Sequence, residues 1–135
     1  MAHRTSKEYF WYQLPAVLWA AAIFIESAIP AKEIPRLPHG SDKVIHATLF
    51  FIFCWLTHRA LKFQNFAWLS RISLFIAIVG TAIYGFTDEY HQIFVPGRTP
   101  DVYDLLADIL GASIYLLIIA IAEERRRGKQ YNITM

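Results

Sequence analysis

The sequence predicts an all-α integral membrane protein, with four transmembrane helices packed as a small bundle. Three observations carry this. The 135-residue chain is 56% hydrophobic and 18% charged, against roughly 45–50% and about 25% in a typical soluble domain. Its mean hydropathy is positive, at +0.33. Its apolar residues also gather into four long stretches instead of being spread along amphipathic faces. A soluble chain of this size would need far more polar surface. A disordered, collagenous or disulfide-stapled class is excluded as well. The one cysteine, Cys54, closes no intramolecular disulfide and makes no cysteine zinc site. A net charge of +2 is too small to argue for nucleic acid.

The spans follow in order. A helix needs about 20 mostly apolar residues to cross the hydrocarbon. The first span runs from about residue 10 to 29, preceded by Arg4 and Lys7 and flanked by Tyr9, Trp11 and Tyr12 at belt positions. It resembles a signal peptide only faintly. Its apolar stretch exceeds the usual 7–15 residues or so, and Glu26 stands where small neutral residues are preferred. The second covers about 44–61. The third, about 72–90, is marginal because Asp88, Glu89 and His91 lie at its end. The fourth covers about 103–122, and the basic run Arg125–Arg127 after it reads as a headgroup anchor. The whole of 1–135 is read as one membrane domain.

Orientation comes from lysine and arginine in the connecting segments. Both ends and the 58–71 loop carry nine of the thirteen: Arg4, Lys7, Arg59, Lys62, Arg71, Arg125, Arg126, Arg127 and Lys129. The other side carries Lys32, Arg36, Lys43 and Arg98. Both termini are therefore expected in the cytoplasm, with the 30–43 and 87–102 loops outside. Pro30, Pro35 and Pro38 stiffen the first of these.

The polar residues then cluster on the outer face. Asp42, Lys43 and His46 open the second helix, with Ser41 as the expected N-cap. Asp88, Glu89, His91 and Gln92 close the third. Arg98, Asp101, Asp104 and Asp108 lead into the fourth. Asp42 and His46 are four apart, about 40° around a helix, and Asp88 and Gln92 repeat the spacing with His91 on the same side. Asp108 lies nearly a turn inside its span, where a carboxylate costs about 2.5 kcal/mol or more at mid-membrane, so it should face protein or water. Val95-Pro96-Gly97-Arg98 reads as a type II turn, expected to hold Arg98 near the flanking carboxylates. Thr99-Pro100 reads as the cap and first residue of the fourth helix.

The run DKVIH at 42–46, then DEYHQIFVPGR at 88–98, then Asp104 with Gly111, resembles the VanZ-like family of small bacterial membrane proteins, from about residue 25 to 120. The resemblance implies a multi-pass protein of the bacterial cytoplasmic membrane and a cell envelope role, since the family's namesake is linked to low-level resistance to the antibiotic teicoplanin. It carries over Asp42, Lys43, His46, Asp88, Glu89, His91, Gln92, Pro96, Gly97, Arg98, Asp104 and Gly111. The family usually has asparagine where this chain has Asp108.

Three readings of the cluster follow. As a structural rivet, Arg98 and Lys43 pair with Asp88, Asp104 and Asp108, while His46 and Gln92 satisfy what remains. As a binding site, the main functional reading, the ten residues Asp42, Lys43, His46, Asp88, Glu89, His91, Gln92, Arg98, Asp104 and Asp108 hold a lipid or a lipid-linked envelope precursor. Arg98 grips phosphate or carboxylate in that case. As an enzyme, the alternative, the histidines and carboxylates bind a divalent metal or form a His/Asp pair that hydrolyses a lipid ester or phosphoester. No HExxH, GxSxG or phosphate-cradling loop is present, so no cofactor is expected beyond such a metal. Cys54 reads as packing. Ala107 and Gly111 form a small-xxx-small pair, a close contact in the bundle or a face for a second copy. His3, His39 and His58 receive no role.

Overall fold

A computed structural model describes residues 5–35, 38 and 40–133. Arg4 and Arg36 of the charge comparison, with His3 and His39, lie outside the described residues. Four long helices make up the fold: α1 (Ser6–Ser27), α2 (Ser41–Lys62), α3 (Ala67–Gln92) and α4 (Val102–Ile133). A single 3₁₀ turn, Ala31–Glu33, follows α1.

α1 begins with a capping box. The Thr5 hydroxyl accepts from the Glu8 amide, and the Glu8 carboxylate accepts from the Thr5 amide. α2 starts at Gly40, whose φ of +82° supplies the left-handed entry. Ser41 is therefore the first helical residue and not the cap. Asp101, one residue beyond the expected Thr99-Pro100, caps α4: its carboxylate accepts from the Tyr103 amide at 2.8 Å. The turn at 95–98 forms as its sequence predicts, with Gly97 at φ +77° and the Arg98 amide donating to the Val95 carbonyl at 3.1 Å.

Three of the helices, α2, α3 and α4, are long and apolar enough to cross a membrane. α1 falls short of that composition, so three helices, and not the expected four, qualify as spans by length and composition. Gln13, Pro15, Glu26 and the aromatic cluster at its start dilute its apolar run. α3 starts about five residues before the expected boundary. α4 continues well past residue 122 through the charged Glu123–Lys129 stretch, whose glutamates, arginines and lysine are good helix formers. Its 32 residues extend about 48 Å, beyond a hydrocarbon layer of about 30 Å.

α2 is the centre and touches each of the other three helices. One buried cluster joins α2, α3 and α4 through Cys54, Ala77, Ala112 and Tyr115. A second joins α1 and α2 through Ile23, Phe50 and Phe53, with Tyr84 of α3 packed against it. Cys54 is fully buried in the first, as packing requires. α1 lies antiparallel to α2. The Gln13 amide donates to the Ala60 carbonyl and the Trp19 indole to the Leu49 carbonyl. The other faces expose large apolar side chains such as Phe75, Phe86 and Leu117, as a surface in contact with lipid does. The protein is a multi-pass membrane protein.

Candidate functional site

The antiparallel order brings the start of α2, the end of α3 and the start of α4 to one end of the bundle. Close backbone contact between α2 and α4 sets the site. A Cβ built on Gly111 would meet the Ala47 carbonyl oxygen at 2.1 Å, so only glycine allows this approach. One turn earlier on α4, and beside Ala47 on α2, Asp108 and His46 meet. Asp108 Oδ1 lies 3.0 Å from His46 Nδ1. Asp108 has no exposed surface, and its Oδ2 has no hydrogen-bond partner among the described residues. Gly85 of α3 makes room for that oxygen, since a Cβ there would stand 2.8 Å from it.

With Nδ1–H donated to Asp108, the lone pair of His46 sits on Nε2. Glu89 of α3 and Asp104 of α4 complete a three-helix set: His46, Glu89 and Asp104 each offer one ligand atom, and these atoms lie within 4.8 Å of one another. His46 and Glu89 are buried and Asp104 is partly so. Neutral donors fix Glu89. The Asp101 amide donates to its Oε2 at 2.8 Å, and the Gln92 amide to its Oε1 at 3.4 Å.

Lys43 stands at the rim. Its ammonium bonds Asp101, Asp104 at 2.6 Å and Asp42 at 3.1 Å. That ammonium holds the Asp101 carboxyl below the usual carboxylate range. Asp42 is mostly exposed and belongs to the rim. Asp88 is buried and coupled electrostatically to His46, Asp108 and Glu26. Carboxylates therefore dominate this end. Lys43 is the only lysine or arginine among the described residues that pairs with any of Asp42, Asp88, Glu89, Asp101, Asp104 and Asp108. Buried carboxyl groups in such number are accommodated by a cation or by taking up protons.

Two expected members turn away. Arg98 does not reach Asp88, Asp104 or Asp108. Its guanidinium donates to the Ile29 carbonyl at 3.1 Å and to the Glu26 carbonyl and carboxylate, each at 3.2 Å. It thus closes the C-terminal end of α1, where carbonyls are left without helical partners. His91 packs against the Phe24 ring of α1, with centroids 4.6 Å apart, outside the metal-ligating set. Asp101 enters the site as cap, as partner of Lys43 and as donor to Glu89. Its position three residues before Asp104 was the available signal. Gly85, the space-maker for Asp108, had only its small size to mark it.

A model of the family described as VanZ/LLP1 matches residues 5–123. The chain is also similar to uncharacterized protein C11E3.10 of Schizosaccharomyces pombe (strain 972 / ATCC 24843). The two are 34% identical over 102 residues, which cover 70% of this chain and 57% of that protein. The chain thus spans little more than half the length of this curated relative. No solved structure matches. With nearly the whole helical bundle inside the family match, the chain belongs to the VanZ/LLP1 family.

Proposed function

We propose that the cluster is a divalent-cation site serving hydrolysis of an ester or phosphoester bond in a membrane lipid. The convergence of His46, Glu89 and Asp104 from three helices carries this reading. Asp108 orients the histidine from behind, the arrangement of a carboxylate–histidine–metal relay. One histidine and two carboxylates suit zinc or manganese and leave coordination positions open. A metal held there would polarise the substrate oxygen and supply an activated water. Lys43 adds a fixed positive charge for phosphate beside Asp104.

A cavity of about 570 Å³ beside Lys43, at the rim of the cluster, supports this substrate class. Asp42, Lys43 and Asp101 line its polar end, and Tyr103, Leu106 and Leu110 its apolar wall. Such a groove takes a headgroup at one end and a chain along the other. A lipid-linked envelope precursor has this chemistry, and acting on it would connect the site to glycopeptide susceptibility.

We further place α1 across the membrane as a fourth helix, with both termini in the cytoplasm and the site on the outer face. Its antiparallel register along α2, from Gln13 against Ala60 to Trp19 against Leu49, supports the crossing. The nine-to-four distribution of basic residues supports the orientation. Residues 1–135 then act as one membrane domain, and nothing in this reading requires a second copy.

The test is hydrolysis of phospholipid and polyprenyl phosphate substrates by the reconstituted full chain, with and without chelator. Turnover that is lost with chelator, restored by zinc or manganese and weakened in Lys43→Gln supports the proposal. Turnover indifferent to chelator and to His46→Ala refutes it.

A further inference from the structure

The opposite end of the bundle carries a second concave site. It lies about 18 Å along α2 from the first, the rise of the twelve residues between His46 and His58. Tyr12 of α1, His58, Arg59 and Lys62 of α2, and Tyr115 and Arg126 of α4 line a cavity of about 360 Å³, within the range of small-ligand pockets. Its cations come from two helices, more than sixty residues apart in sequence, and face a common space. Among the described residues none of Arg59, Lys62 and Arg126 forms a salt bridge. Glu123 acts electrostatically on His58 but pairs with none of them.

The walls are also organised. The Arg59 guanidinium lies 4.3 Å from the centre of the Tyr12 ring, and Tyr12 stacks on Phe63 with centroids 3.5 Å apart. This holds the guanidinium in place before any ligand arrives. At the inner end, buried His58 lies 2.7 Å from the Tyr115 hydroxyl, a polar pair in an otherwise apolar wall. Ile119 also lines the cavity, and its neighbours Ile118 and Ile121 are exposed apolar side chains. A helix-end anchor needs basic residues at the interface but no cavity and no shared target. A converging basic pocket at the boundary of the apolar zone is suited to an anionic headgroup.

We infer that this pocket binds the phosphate of an anionic lipid headgroup, with Arg59, Lys62 and Arg126 on the phosphate and the acyl chains descending past Ile119. The site is independent of the cation cluster and of any hydrolysis there.

The experiment is native mass spectrometry of the full chain in detergent, titrated with phosphatidylglycerol or with phosphatidylcholine. An Arg59→Gln, Lys62→Gln, Arg126→Gln variant is compared with an Arg125→Gln, Arg127→Gln control. The basic residues are worth about fivefold each and together on the order of a hundredfold in affinity for phosphatidylglycerol. The control loses much less affinity, because its side chains lie outside the cavity lining. The single change Arg126→Gln, on an exposed stretch of α4, covers the case in which the triple variant misfolds, and should cost about fivefold. Displacement of the lipid by low-millimolar inorganic phosphate would assign the same phosphate site to the free anion. Equal losses in pocket and control variants, or equal binding of both lipids, overturn the inference.

Discussion

Replacing Gly111 by alanine tests whether backbone contact between α2 and α4 builds the site. On an open helix the change is favourable by up to about 1 kcal/mol, because glycine is the weaker helix former. Here the new methyl would stand 2.1 Å from the Ala47 carbonyl oxygen and 2.9 Å from the Phe51 nitrogen, where ordinary contact begins at 3.4 Å. The obstacle is backbone, so no rotamer relieves it. The helices must part locally by about 1.3 Å, and overpacking of this kind costs typically about 1–3 kcal/mol. The clash therefore outweighs the propensity gain. The same displacement carries Asp108, one turn earlier, away from His46 and stretches their 3.0 Å bond to about 4 Å, beyond hydrogen-bond range. Gly111→Ala should melt below wild type in detergent and hold divalent metal more weakly. Gly80→Ala, with nothing within 4 Å of the added carbon, is the control and should melt at or above wild type. A Gly111→Ala protein with unchanged melting and metal affinity would refute the claim that this contact sets the site.

Other expectations follow from the same geometry. Asp108→Ala should lower metal affinity about 10–100-fold, the usual effect of losing the partner that orients a ligating histidine. Asp108→Asn should recover most of it, because the amide oxygen still accepts from Nδ1; isothermal titration with zinc distinguishes the two. Arg98→Gln should destabilise by about 1–3 kcal/mol through the lost bonds to Ile29 and Glu26, while metal binding stays near wild type. Because Lys43 lowers the folded-state pKa of Asp101, its contribution is full above the ordinary carboxylate range and is lost as pH falls below it. A melting-temperature profile of Asp101→Asn should therefore converge on wild type at acid pH and fall below it near neutrality.

Much of this arrangement could be read from the sequence. Consecutive antiparallel helices put the start of α2, the end of α3 and the start of α4 at one end, so the polar runs at 42–46, 88–92 and 101–108 had to meet. Less could be read of each side chain's direction. Spacing along α3 fixes Asp88, Glu89, His91 and Gln92 relative to one another but not their rotation toward α1 or α4. Only the packed bundle shows Glu89 joining His46 while His91 meets Phe24. The turn at 95–98 located the Arg98 backbone, yet its guanidinium had two competing targets, and the open carbonyls at the end of α1 won. Hydropathy marked where α4 leaves the apolar layer and not where its helix stops. It left α1 the least marked of the four, because Gln13, Trp19 and Glu26 dilute its apolar run and all hydrogen-bond across the fold.

The central claim is that His46, Glu89 and Asp104 hold a metal ion. Elemental analysis of the full chain, purified without chelator and reconstituted in lipid, tests it most directly against a His46→Ala, Glu89→Gln variant of confirmed helicity. Near-stoichiometric zinc or manganese in the wild type, absent from the variant, is the expected result. A wild type that carries no divalent metal and takes up none on titration would contradict it and leave the cluster as a polar rivet between helices.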